Sequence, residues 1–261
     1  MRVQGSVRVP LRLRLFASTL ALAALASACG GVGGGASSPA EGSKAVTFRS
    51  ADGVKLEGRL FGEGNGNVGV VLSHMRPADQ SSWFDLAAEL ATKGYVALTF
   101  DFRGYCPGGS AGCSEGDKDI AAIWQDVVGA VGYLRSEQAV SAVVLIGASM
   151  GGTASLVATA RAGLQPAAII TLSAPISIEG LTADAATLAL TGPAAKLFIA
   201  GDGDEFGAAD AAQQMFGLSP QPKRVEILPA NEHGTDLLAS GQGDVVRHLI
   251  LTELGVYAPV G

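Results

Sequence analysis

Val143-Val144-Leu145-Ile146-Gly147-Ala148-Ser149-Met150-Gly151-Gly152 is the stretch on which the reading of this chain turns. Its four leading apolar residues read as a strand buried on both faces, over Ala142–Ile146. Gly147 to Gly151 then fits Gly-x-Ser-x-Gly, and Gly151-Gly152 opens a helical stretch over Met150–Ala162. The pentapeptide alone is weak, because a chain with 36 Gly yields roughly 0.4 chance matches to it. The strand before it and the helix after it supply the setting that the motif requires. The physical reason for the glycines is steric. A serine at so sharp a turn holds a strained backbone, and Cβ atoms at 147 or 151 would collide with neighbouring main chain. The turn lifts the Ser149 hydroxyl above the sheet edge and sets a helix N-terminus behind it, which favours negative charge.

On either side the chain alternates strand and helix. Ala45–Ser50 and Lys55–Phe61 read as a hairpin about Ala51-Asp52-Gly53, and Val68–Ser73 as a doubly buried strand. A helix capped by Ser81 or Ser82 runs to Lys93, and Tyr95–Phe102 is strand. One long amphipathic helix is expected over 117–136. After Met150–Ala162 come strands at Ala168–Leu172, Lys196–Ala200 and Arg224–Leu228, a helix at Gly207–Phe216 and a closing helix at Thr235–Leu254. Strands separated by helices of this length imply right-handed crossovers, and so an α/β domain with a mostly parallel, eight-stranded sheet flanked by helices. The segment Ser173–Thr191 reads as irregular and is too short for a large lid.

With the motif and its order in place, residues 45–255 resemble the α/β-hydrolase superfamily, in particular its dienelactone-hydrolase-like and cutinase-like serine hydrolases. The resemblance implies a chain order of nucleophile, acid, histidine. Ser149 is then the nucleophile. The strand Lys196–Ala200 ends in Gly201-Asp202-Gly203-Asp204, whose fourth position implies Asp204 as the acid, with Asp202 as the competitor. The chain has three histidines, and His233 in Asn231-Glu232-His233-Gly234 stands where the family keeps its catalytic His-Gly. His74 reads as a brace and His248, inside the closing helix, as a surface or packing residue. The implied oxyanion hole takes the backbone N–H of Met150 and, from the loop after the third strand, that of Arg76. There the family has His-Gly-x and this chain has His74-Met75-Arg76. Asp101-Phe102-Arg103-Gly104 resembles a mainly structural turn of the same superfamily. The implied activity is cleavage of small or polymeric carboxylic esters without a cofactor. Two alternatives stand beside it: a prolyl-oligopeptidase-like peptidase, and a binding module that has lost catalysis.

The N-terminus reads as a separate device. Arg2, Arg8, Arg12 and Arg14 precede an apolar run from Leu15 to Ala28, which describes a secretory signal over residues 1–28. That run is too short to span a bilayer comfortably. Leu25-Ala26-Ser27-Ala28-Cys29 resembles a bacterial lipobox, with Ala26 where Leu is usual, so lipidation at Cys29 and an outer-face membrane anchor are expected. Residues 29–44 form a Gly/Ala/Ser-rich tether, and 45–261 the hydrolase domain. Losing four arginines leaves 14 basic against 24 acidic residues, a net charge near −10, so a lipid rather than charge would hold the domain at a membrane. The same balance, with no basic cluster in the body, argues against nucleic acid. Export makes a disulfide between Cys106 and Cys113 expected, and no His/Cys spacing suggests a metal.

Overall fold

The computed structural model describes residues 42–106 and 113–261. The expected signal, Cys29 and most of the tether lie outside the described residues. The first hairpin pairs β1 (Ser43–Arg49) with β2 (Lys55–Phe61), and β3 (Val68–Ser73) follows. Next come α1 (Phe84–Thr92), β4 (Val96–Phe100), α2 (Trp124–Glu137), β5 (Ala142–Ala148) and α3 (Met150–Ala162). The second half runs β6 (Ala168–Leu172), a small hairpin of β7 (Ser177–Ile178) and β8 (Leu181–Thr182), then α4 (Ala185–Ala189). It ends with β9 (Ala195–Gly201), α5 (Ala208–Leu218), β10 (Lys223–Leu228) and α6 (Gly243–Tyr257). Eight strands form one sheet in the order β1-β2-β4-β3-β5-β6-β9-β10. Only β2 is antiparallel to its neighbours, and every pairing from β4 to β10 is parallel.

The central strands lack polar alternation because helices cover both faces. Along β5, Val143 and Leu145 pack into a cluster with α2, α3 and α5, while Val144 and Ile146 pack into a second cluster with α1 and α6. Full burial of each such side chain contributes about 1.5–3 kcal/mol. A one-residue slip of β5 would exchange the two sets, so this apolar run also fixes register.

Four local expectations need correction. The helix entering α1 is capped by Asp79, whose carboxylate accepts from Ser81 N–H at 2.7 Å, and begins as a 3₁₀ turn over Gln80–Trp83. The helix expected to start at 117 starts at Trp124, after a 3₁₀ turn over Ile120–Ala122. Residues 117–118 instead pass tightly against Gly104, where a Cβ would lie 2.5 Å from Lys118 N. The closing helix is broken: a 3₁₀ segment, Gly234–Ala239, is followed by a turn and then α6. The Ser240 hydroxyl closes that turn by donating to Leu237 O and accepting from Gln242 N–H. Finally, the segment expected to be irregular holds β7, β8 and α4, without a large lid.

Arg103 is the brace of the Asp-x-Arg turn. Its buried guanidinium reaches Asp52 in the first hairpin turn and Asp126 in α2, and its backbone N–H also donates to Asp126. Cys106 and Cys113 are joined by a disulfide in the following loop.

Candidate active site

The site assembles at the C-terminal ends of the parallel strands, where open α/β sheets carry their crevices. Ser149 lies between β5 and α3 with φ +46° and ψ −120°, a backbone that non-glycine residues rarely adopt. The glycines around it have measurable reasons. A Cβ on Gly147 would stand 2.4 Å from the Gly151 carbonyl, and one on Gly151 would stand 2.3 Å from Ser73 O. Neither distance is tolerable, so α3 can approach β3 and β5 this closely only without those carbons. Ser149 N–H donates to Leu172 O at 2.8 Å, and Ser149 O accepts from Gly152 and Thr153 N–H. The elbow is thus held by β6 on one side and by the first turn of α3 on the other. Met150 N–H belongs to that first turn, whose donors lack intrahelical partners by geometry.

His233 follows β10 and Asp204 follows β9, in neighbouring parallel strands. His233 Nδ1 and Asp204 Oδ2 lie 2.7 Å apart. The other oxygen, Oδ1, accepts from Phe206 N–H at 3.0 Å, so the carboxylate is held at both ends. Asp204 has a fully buried side chain, and the His233 side chain is 18% exposed. Asp202 is exposed and turns away, accepting from Ala230 N–H at 3.3 Å. The Phe206 ring stands edge-on to His233 with centroids 4.8 Å apart. His248 is exposed on α6.

The loop after β3 supplies the remaining wall. His74 is fully buried there; its Nε2 accepts from Phe102 N–H at 3.1 Å. The proton is therefore on Nδ1, which donates to Met75 O at 2.8 Å. This ties the loops after β3 and β4 together. Met75, in the family's glycine position, fits because Gly234 is bare opposite it: a Cβ at 234 would come within 2.5 Å of its sulfur. Arg76 follows, its guanidinium paired with Glu179 on the β7–β8 turn. Both partners are about half exposed, so the pair contributes at most about 1 kcal/mol.

Burial pushes the His74 imidazole down to about 4. Unfolded histidine titrates near 6.5, so between those values the unfolded chain binds the extra proton. The contribution is complete above about pH 6.5 and is lost as pH falls towards about 4, at roughly 3 kcal/mol. Buried Asp101, raised to about 6, works in the opposite direction over part of this range. The contrast with a variant isolates the histidine. Urea unfolding at pH 7 and pH 4.5 is expected to show a smaller pH difference for His74→Gln than for wild type. An equal difference would reject the assignment.

Ser149, His233 and Arg76 line one cavity of about 530 Å³, together with Ser173, Ile178 and Phe206. Ser173 and Glu179 were not anticipated from sequence. Ser173 had one available signal, its place at the C-terminal end of a buried strand; Glu179 had none. Among the described residues, no group of three His, Cys, Asp or Glu side chains is placed to hold a metal ion. No helix among them is long and apolar enough to cross a membrane.

Residues 68–198 match the family model described as "Serine aminopeptidase, S33". The chain is similar to the "Uncharacterized protein YfhR" of Escherichia coli K12, 22% identical over 227 residues that cover 78% of each. Among solved structures it resembles the Pyrococcus furiosus esterase Pf2001, with TM-score 0.69 and 17% identity over 82% of this chain and 92% of that one. It also resembles XC6422 from Xanthomonas campestris, described as an a/b serine hydrolase without lid, with TM-score 0.63 and 18% identity over 85% and 97%.

Proposed function

Since the chain belongs to the S33 serine aminopeptidase family of α/β hydrolases, we propose that it cleaves carboxylic esters through an acyl-enzyme on Ser149. The observation that carries this reading is the convergence of three parts of the chain. The strained Ser149 and His233 line one cavity, and His233 is bonded on its far nitrogen to Asp204 at 2.7 Å.

In this mechanism His233 Nε2 takes the Ser149 proton as Oγ bonds to the ester carbonyl carbon. Asp204, fixed by Phe206 N–H, keeps the imidazole proton on Nδ1 and stabilises the imidazolium. The carbonyl oxygen gains a negative charge, which the backbone N–H groups of Met150 and Arg76 and the N-terminus of α3 stabilise. The C–O bond to the alcohol then breaks, and His233 returns the proton to the departing alkoxide. Water, deprotonated by His233, attacks the acyl carbon; the bond to Ser149 Oγ then breaks, His233 returns the proton to that oxygen, and the acid leaves.

The family description names an aminopeptidase, and the wall chemistry favours the ester over it. A substrate ammonium needs a carboxylate, and among the described residues the cavity lining contains none; Glu179 lies outside it and is engaged with Arg76. Neighbours from Pyrococcus furiosus, Thermogutta terrifontis and Exiguobacterium antarcticum are described as esterases. The test compares p-nitrophenyl acyl esters with aminoacyl p-nitroanilides. Ester kcat/KM is expected to exceed that of every anilide by at least about 100-fold, because no group repays burial of the ammonium. Preference for an anilide would replace this reading with peptidase action.

A further inference from the structure

Ser173 ends β6 as Ser149 ends β5, and it too has a positive φ, +52°. Its hydroxyl is buried without a hydrogen-bond partner, and the residue is 1% exposed. Among the described residues, three other buried side-chain groups share that condition, on Ser73, Trp83 and Thr235, and none of those residues lines the cavity of Ser149 and His233. Ser173 does. Both features work against stability, and glycine at 173 would avoid both. The strain is imposed by fixed surroundings. Ser173 N–H donates to Ile199 O at 2.8 Å, and Thr153 Oγ1 donates to Pro175 O at 2.6 Å two residues on. A strained residue with an unmet polar group, fixed in the wall of a cavity, is poised for a ligand.

Taking Ser149 as the acylated residue, as proposed above, we infer that Ser173 determines specificity, its hydroxyl bonding an oxygen that the acyl group carries on the carbon α or β to the ester carbonyl. Ala148 and Leu172 are register partners, so residues 149 and 173 leave adjacent strands about 5 Å apart. An acyl group on Ser149 Oγ would therefore start about one strand spacing from Ser173, a gap that one or two carbon–carbon bonds beyond the carbonyl can span. Pro77, Pro175, Ile178, Ala208 and Phe206 give the lining an apolar surface that suits the carbon skeleton, with Ser177 and Arg76 as its other polar members. The substrate class is an ester of a 2- or 3-hydroxy or oxo acid, monomeric or polymeric. The hydroxyl is neutral and offers one donor and two acceptor sites, which fits a hydroxyl or carbonyl oxygen.

The experiment measures kcat/KM for p-nitrophenyl butyrate, 2-hydroxybutyrate and 3-hydroxybutyrate with wild type, Ser173→Ala and Ser173→Gly. Each hydroxyacyl value is divided by the butyrate value, and variants are compared with wild type, so intrinsic ester reactivity cancels. For at least one hydroxyacyl ester, the ratio is expected to fall by about tenfold in both variants, the loss of one hydrogen bond. Because glycine relieves the φ strain and alanine keeps it, equal falls assign the effect to the hydroxyl. Unchanged ratios, or equal losses on all three esters, overturn the inference while leaving Ser149-dependent esterolysis standing. No hydrolysis of any of the three by wild type overturns both.

Discussion

Ser149→Ala is expected to lower ester turnover by about 10⁶-fold without unfolding the domain. The magnitude follows from the way nucleophile and base act as one unit: without the hydroxyl there is no acyl-enzyme, and the imidazole has no proton to move. The fold should tolerate the change. Alanine at φ +46° carries much the same backbone strain as serine, and the bonds that hold the elbow are main-chain ones, to Leu172 O and from Gly152 and Thr153 N–H. Rates of p-nitrophenol release and thermal melting curves, taken on the same preparations, check both halves. A variant retaining a tenth of wild-type activity with an unaltered melting curve would show that Ser149 is not the attacking group.

The second large effect is expected at the acid. Asp204→Asn should lower kcat by about 10⁴-fold, because an amide can donate to Nδ1 and hold the wrong imidazole tautomer. The substitution is nearly isosteric, and its Oδ1 can still accept from Phe206 N–H, so the turn after β9 should keep its course. Asp202→Asn is the matched control. That side chain is exposed and, among the described residues, hydrogen-bonds to Ala230 N–H alone, so its kcat should stay within about twofold of wild type. Steady-state kinetics of the two variants at one alkaline pH give the comparison. If Asp202→Asn carries the loss, the acid has been assigned to the wrong residue of the turn.

The two aspartates also show where sequence stops being sufficient. Gly201-Asp202-Gly203-Asp204 offers two carboxylates in one turn, and local chemistry does not choose between them. The choice is made by packing. The end of β9 lies against β10, where a Cβ on Gly201 would meet Ala230 O at 2.3 Å, and the turn delivers Asp204 to His233. By contrast, the strand, elbow and helix from Val143 to Gly152 were legible because each depends on neighbours within a few residues. The break at 240–242 did carry a signal, Ser240-Gly241-Gln242-Gly243 without one apolar residue, where Gly243 turns tightly against Leu238 O. The break at 117–123 did not: Ile120, Ile123 and Trp124 keep a helical spacing, while the tertiary approach of Lys118 to Gly104 sets where the helix starts. Met75 belongs to the same class. In sequence it is a departure from His-Gly, and only in three dimensions does it fill the space that Gly234 leaves.

Mass spectrometry of the protein after treatment with a fluorophosphonate tests the proposed nucleophile most directly. One phosphonyl group per chain is expected, on the peptide containing Ser149, with no adduct on the Ser149→Ala protein. An unlabelled wild type would leave a hydrolase fold serving as a binding module, and an adduct that persists in the variant would place the nucleophile elsewhere.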